Sequence, residues 1–328
     1  MNKLLSLIII LSAADLFAAR SLTFGVDAFN EIVPANARGN VVFSPLSFEF
    51  DSVIMADAFE PITKAHFAET LGVLSDLPAT YEPLINYYRE VASTNGITFL
   101  AARAFLVPDY EGVSANYRAE SQRHYDAEIA LRFPTVGPEN WFRLMLDGYM
   151  EDFEYSPQVA SQSVNSFYDV LAVQLSCSED AKMDTAKYPN FTLARIPLKG
   201  DAFLFLAIPC GQASLETVRR ELSAEKVAEC LTVFESVTVD GVERNQPAVD
   251  LPMMRITSEL DMTPAMLKFK FPTRGYLRLN GEIQGRYFSQ FCRLEIPGKN
   301  NMKVKPFAFF VYHKPTNSLL VMGQYTGD

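Results

Sequence analysis

The chain has 328 residues, 48% of them hydrophobic and 12% aromatic, and a formal net charge of −10. That is enough apolar material for one large core or two small ones, and it excludes global disorder. The acidic balance argues against nucleic acid and anionic membrane as partners, because both are bound through clustered Lys and Arg.

In chain order, the N-terminus reads as a secretory leader over residues 1–19. Lys3 supplies the basic start, and Leu4 to Leu11 form an apolar stretch too short to span a bilayer. Small residues follow, so cleavage is expected after Ala14 or Ala19, with a buried first helix as the alternative. No other uninterrupted apolar run approaches the ~18 residues a membrane helix needs. The remainder, 20–328, shows no repeat, linker or low-complexity tract and reads as a single domain.

Residues 21–33 place Phe24, Val26, Phe29 and Val33 at near-helical spacing. Val41 to Phe43 make a short strand, Ser44-Pro45 a turn, and a helix should begin near Ser47. Pro61 opens another helix, which Gly72 closes. Ile97 to Val107 suit a strand buried on both faces. Tyr117 to Tyr125 should be helical, Glu128 to Phe133 a strand, Glu139 to Leu146 a helix and Ser163 to Leu175 a strand. Phe203 to Pro209 read as a core strand, Ser214 to Phe234 as helix with Ser223 capping a second one, and Val249 to Ile256 as a strand. Helices and strands without strict alternation favour an α+β fold.

Four cysteines, at 177, 210, 230 and 292, match no zinc or redox spacing and permit up to two disulfides or four free thiols. Asn190-Phe191-Thr192 is an N-glycosylation triplet, usable in a eukaryotic secretory pathway. No catalytic, nucleotide-binding or metal motif occurs, so no enzyme activity, cofactor or metal is expected. His66 and His124 read as surface residues and His313 as structural. Arg219-Arg220 and Lys299 to Lys305 are small basic spots, read as solvated charge in preference to a heparin-type site.

The C-terminus carries the most information. Phe307 to His313 and Leu319 to Tyr325 are apolar, β-prone runs flanking a turn of Lys, Pro, Asn and Ser, which predicts a buried hairpin. This segment resembles the C-terminal signature of the serpin family, and Asn40 to Ser47 resembles the family's NVVFSPLSI run. Weaker matches at 58–72, 125–133, 140–142, 163–168, 203–209, 215–231 and 249–267 follow in family order. The resemblance implies an α+β serpin fold with a large central, mostly antiparallel sheet, further sheets, about eight packed helices and shortened peripheral elements. It also resembles the shortened serpin-like proteins of poxviruses, which would make the role host-directed.

The departures bear on function. Serpin inhibition, as the resemblance implies it, needs a long exposed loop that is cleaved and then inserts as an extra strand into the central sheet. If Tyr287 to Ile296 is the preceding strand, only Ile296, Pro297, Gly298, Lys299, Asn300, Asn301 and the next four residues lie between Glu295 and Pro306. Ten residues span at most ~36 Å. That tethers two elements but hardly supplies both a bait and an inserted strand. In a rival register the loop runs from Gln284 to Val304, with Arg286 or Arg293 as bait. The bulky, β-prone residues Tyr287, Phe288, Phe291 and Leu294 speak against it. Ser44, Ser47 and Asn165 match family positions beneath the opening of the central sheet, and Cys292 stands where the family has His; the simpler role for the serines is helix capping. The expectation is a secreted, non-inhibitory scaffold for a protein partner of unknown identity, with a serine or cysteine protease inhibitor as the alternative.

Overall fold

Buried polar residues run through the centre of this molecule, and the elements that carry them define its architecture. The computed structural model describes residues 20–58, 61–73, 76–107, 113–130, 165–178, 181–235, 242–247, 251–270, 286–299 and 304–327. The expected leader and the helix expected at 139–146 lie outside them.

A first helix, α1, covers residues 20–32. Strand β1 (Val41–Phe43) leads into α2 (Pro45–Ala58), followed by α3 (Pro61–Leu71) and α4 (Leu77–Asn86). A π-helical turn (Tyr87–Val91) and a 3-10 turn (Ala92–Asn95) connect α4 to β2 (Ile97–Leu106). Next come α5 (Ala115–Tyr125), β3 (Ala127–Ala130), β4 (Asn165–Leu175), β5 (Lys182–Lys187), β6 (Phe191–Pro197) and β7 (Ala202–Pro209). Two short helices, α6 (Leu215–Glu221) and α7 (Ala224–Thr232), precede β8 (Val242–Pro247) and β9 (Met254–Asp261). The last elements are α8 (Thr263–Lys268), β10 (Arg286–Ile296), β11 (Phe307–His313) and β12 (Ser318–Tyr325).

The ends follow local chemistry. Ser114, Ser214 and Ser223 cap α5, α6 and α7 by accepting a backbone N–H three residues on. Gly72 closes α3 at φ +75°, a conformation open to glycine. Helix α2 starts at Pro45, two residues earlier than Ser47, because Ser44 is the cap.

The described strands form two sheets. A seven-stranded sheet has the order β1-β12-β11-β7-β6-β5-β8 and is antiparallel throughout. A five-stranded sheet has the order β3-β2-β4-β10-β9. Its β2–β4 and β10–β9 pairs are antiparallel, and its β2–β3 and β4–β10 pairs are parallel. Antiparallel pairing therefore predominates over the two sheets, and the central one is mixed.

The C-terminal hairpin is buried as its composition predicts: every residue of β12 is buried, and Asn317 turns the chain at φ +54°. The central strands of the five-stranded sheet are buried on both faces, while the edge strand β9 alternates buried and exposed residues. Phe167, Leu171 and Val173 of β4 enter the main core, while Tyr168, Val170 and Ala172 join Ala102, Ala104 and Phe291 on the opposite face.

Several elements differ from the sequence expectation. The strand expected at 249–256 begins at Met254 and runs on to Asp261. The β5–β6 hairpin and β8 were not foreseen, since Lys182 to Lys187 and Val242 to Pro247 are too polar to show a core pattern. Nor was the long helical stretch from Leu77 to Asn95, which Pro83 interrupts in the sequence.

Candidate functional site

Helix α2 crosses the core, and its residues from Pro45 to Asp57 are all buried. It carries Ser44, Ser47, Glu49, Asp51, Ser52 and Asp57 at its start or along its length, so each polar group needs a partner inside the protein. Beneath the junction of β4 and β10 those partners come together.

Gln290 of β10 is the register partner of Asp169 of β4. Its Nε2 donates to Asp169 Oδ2 at 3.0 Å and to the Ser44 carbonyl at 3.2 Å, and its Oε1 accepts the Ser44 N–H at 2.8 Å. Ser44 Oγ donates to the Leu320 carbonyl at 2.7 Å and accepts the Ser47 N–H at 3.1 Å. Arg103 of β2 donates to Ser47 Oγ at 2.7 Å and to Asp51 Oδ1 at 3.0 Å, and its Nε lies 3.7 Å from Asp169 Oδ1. Thus α2, β2, β4, β10 and β12 meet in one buried polar cluster. One guanidinium faces two carboxylates. Burial pushes the Asp51 carboxyl well above its ordinary range, with the Asp169 charge adding to the shift and Arg103 opposing it. Burial likewise raises Asp169, again against the pull of Arg103. Such a cluster cannot comfortably hold two full negative charges.

Of the residues singled out in the sequence, Ser44 and Ser47 lie in this cluster. Ser44 is both a helix cap and a bridge between sheets, so its two readings are one. Asn165 starts β4, opposite Arg286 in the register and four residues before Asp169. Cys292 lies two residues beyond Gln290, in the main core. Burial, and then the Asp169 charge, hold its thiol well above the ordinary range. The polar groups contributed by the two strands are Asp169 and Gln290. The signal that could have found them is a lone charge inside an apolar run, as with Arg103 in 97–107 and Asp169 in 167–173, since a buried charge requires a partner.

The segment after β10 is tied down. Lys299 N–H donates to the Leu251 carbonyl at 2.7 Å, and Met253 N–H donates to the Lys299 carbonyl at 3.1 Å, forming a parallel bridge between Pro252 and Lys299. A Cβ at Gly298 would meet the carbonyl oxygens of Leu251, at 2.5 Å, and Pro252, so only glycine fits. Pro297, Gly298 and Lys299 are exposed, and the last two are held against 251–253. Asn300 and Asn301 lie outside the described residues.

Arg286 and Arg293 stand inside β10, which is bonded to β4 on one side and, from Ser289 onward, to β9 on the other. Their placement in an exposed bait loop is therefore corrected. Arg293 is mostly buried and donates to Glu295 Oε1 from Nε at 2.9 Å and Nη2 at 2.5 Å.

Two further residues are corrected. Arg219 is buried, not solvated. It stacks on Phe29 at 4.2 Å and donates to Gln324 Oε1 and the Val33 carbonyl, and burial lowers it to about 10. His124 is paired with Glu82 at 2.7 Å. His313 is fully buried, its Nδ1 2.9 Å from Tyr88 Oη and 2.7 Å from Thr316 Oγ1, which makes the hairpin a partner of the π-helical turn. Cys177 and Cys210 are half-buried, Cys230 and Cys292 are buried, and all four are free thiols.

No protein-family profile matches the chain, and no curated protein matches it either. Solved structures do. A tumour-suppressing serpin superposes with a TM-score of 0.74 at 12% identity, covering 96% of this chain and 100% of its own. Native protease nexin-1 with heparin gives 0.73 at 14% identity, covering 96% and 100%. Arabidopsis AtSerpin1 in its native stressed conformation gives 0.71 at 13%, covering 95% and 98%. Likeness at this identity defines the architecture, and the chain has the α+β serpin fold.

Proposed function

We propose that this serpin-fold chain is a secreted, non-inhibitory scaffold that binds another protein through its surface. One observation carries the reading. The connection from β10 to β11 is ten residues long, from Pro297 to Pro306, and its third residue, Lys299, is already bonded to Leu251 and Met253. The seven that follow extend to at most ~25 Å. That length must also reach β11, so it leaves no slack for a cleavable bait and an inserted strand. The seam supports the same reading. β4 and β10 pair directly over ten register positions, from Asn165↔Arg286 to Gln174↔Glu295, and Gln290 clamps them from below. Secretion rests on the basic and apolar leader at 1–19, and the host-directed role on the resemblance to shortened poxvirus proteins. The chain's net charge of −10 favours a partner with a basic surface.

The test is incubation of the purified protein with trypsin-like, chymotrypsin-like and cysteine proteases. A scaffold stays uncut or is nicked without forming a complex stable to SDS, and its melting temperature does not rise. A covalent complex with any of them, joined by a rise in melting temperature on loop cleavage, overturns the reading in favour of inhibition.

A further inference from the structure

The chain contains one Asn-x-Ser/Thr triplet, Asn190-Phe191-Thr192. The fold places it at the tip of the β5–β6 hairpin. Lys187 pairs with Thr192, and Tyr188 N–H donates to the Phe191 carbonyl at 2.9 Å, which leaves Pro189 and Asn190 as the two central turn residues. Pro189 fixes φ at the first of these and is exposed. Phe191 turns inward, fully buried and stacked on Tyr188 with ring centroids 4.6 Å apart. The middle residue of the triplet thus anchors the turn in the core, while Asn190 and Thr192 on either side stay partly open to solvent.

We propose that Asn190 is N-glycosylated and that its glycan covers the Cys210 thiol. The inference rests on the secretion reading above. The donor is an oligosaccharide carried on a lipid pyrophosphate. The Asn190 Nδ2–C1 bond forms, the bond from C1 to the pyrophosphate oxygen breaks, the lipid pyrophosphate leaves, and one Nδ2 proton passes to a base of the transferase. The amide has two protons. Nδ2 now donates to Glu221 Oε1 at the end of α6, and after transfer the remaining proton serves that contact, so the modification breaks nothing in the fold. The same contact fixes the direction in which the first sugar leaves the surface. Cys210 lies beside it. Its N–H donates to the Asn190 carbonyl at 3.1 Å, and its Sγ is 3.8 Å from the Tyr188 carbonyl and 3.7 Å from that of Pro189. A half-buried free thiol in an oxidising compartment is open to mixed disulfides, and a glycan rooted on the adjoining turn screens it.

The experiment expresses the full chain in animal cells in two forms, with its own leader and with an unrelated efficient leader. Peptide-N-glycosidase treatment should lower the apparent mass by one glycan and convert Asn190 to Asp in the peptide mass spectrum. Asn190→Gln and Thr192→Val should both lack the shift; the second leaves the Asn190–Glu221 contact intact, so misfolding of the first cannot mimic the result. Alkylation of Cys210 should be severalfold slower in the glycosylated protein than in Thr192→Val, and deglycosylation should restore it. An unmodified Asn190 under the unrelated leader overturns the site. Equal alkylation rates overturn the shielding. Modification under the unrelated leader alone leaves the site standing and sinks the secretion reading.

Discussion

Gln290 and Asp169 sit side by side on adjacent parallel strands, and a 3.0 Å hydrogen bond from Gln290 Nε2 to Asp169 Oδ2 crosses the seam between them. The same amide also holds both backbone groups of Ser44, at the start of the core helix. One side chain therefore ties the two central strands to each other and to the helix beneath them. A sheet fastened in this way resists parting, which suits a molecule whose following segment is too short to enter it.

Gln290→Ala should cost about 3 kcal/mol in urea unfolding, because it strands the buried Ser44 N–H and one Asp169 oxygen and leaves the Ser44 carbonyl with the Phe48 N–H as its remaining donor. A loss below about 1 kcal/mol would show that water takes over these contacts and that the amide is no clamp.

Arg103→Met should destabilise by about 3–5 kcal/mol at neutral pH, since it leaves Asp51 and Asp169 buried without their cation. Asp169→Asn acts the other way with pH. Both carboxyls are raised by burial, so ionising them weighs on the fold and stability falls as pH rises. The Asn variant should lose less stability than the parent between acid and neutral pH. Identical pH profiles for the two proteins would refute the shared-charge picture.

Glu49 is buried, accepts hydroxyl protons from Ser21 and Tyr81 at 2.6 Å each, and is pushed from 4.5 up to about 6, chiefly by burial. A raised carboxyl favours the fold in its neutral form. Its contribution is full below pH 4.5 and is lost as pH climbs through 6, by up to about 2 kcal/mol. Glu49→Gln should flatten that part of the stability curve, as chemical denaturation at half-unit pH steps will show.

For His313 the sign is opposite. Burial lowers its imidazole from 6.5 to about 4, so the fold prefers the neutral ring. The stability it supplies is complete above pH 6.5 and disappears as pH falls towards 4, by up to about 3 kcal/mol. His313→Gln should reduce the steepness of acid unfolding in that window. Proton NMR titration of the ring offers a direct check, and a midpoint near 6.5 would contradict the buried geometry.

Gly298→Val should free the tether, because its side chain cannot coexist with the Leu251 and Pro252 carbonyls. Limited proteolysis should then cut between 297 and 306 faster than in the parent, with no gain in melting temperature afterwards. A gain would mean that the released strand enters the sheet after all.

Much of this could be read from residues alone. Val41 to Phe43, Ile97 to Leu106 and the closing hairpin declare themselves through apolar β-prone runs bounded by Gly, Pro and Asn, and Ser214 and Ser223 announce their helices as caps. These signals are local, written within a few residues of one another. So is the brevity of the chain between Ile296 and Phe307, on which the functional proposal depends. What the sequence could not decide is which buried polar groups meet. Cys292 stood at a plausible position on β10, yet Gln290, two residues earlier, makes the contact to Asp169. The pairing of β4 with β10 is a register between segments more than a hundred residues apart, and a shift of two residues exchanges the partners while each side chain keeps its face of the sheet. The docking of Gly298 and Lys299 on Leu251 to Met253, the burial of Arg219 and the turn that presents Asn190 beside Cys210 were settled in the same way, by packing between distant segments.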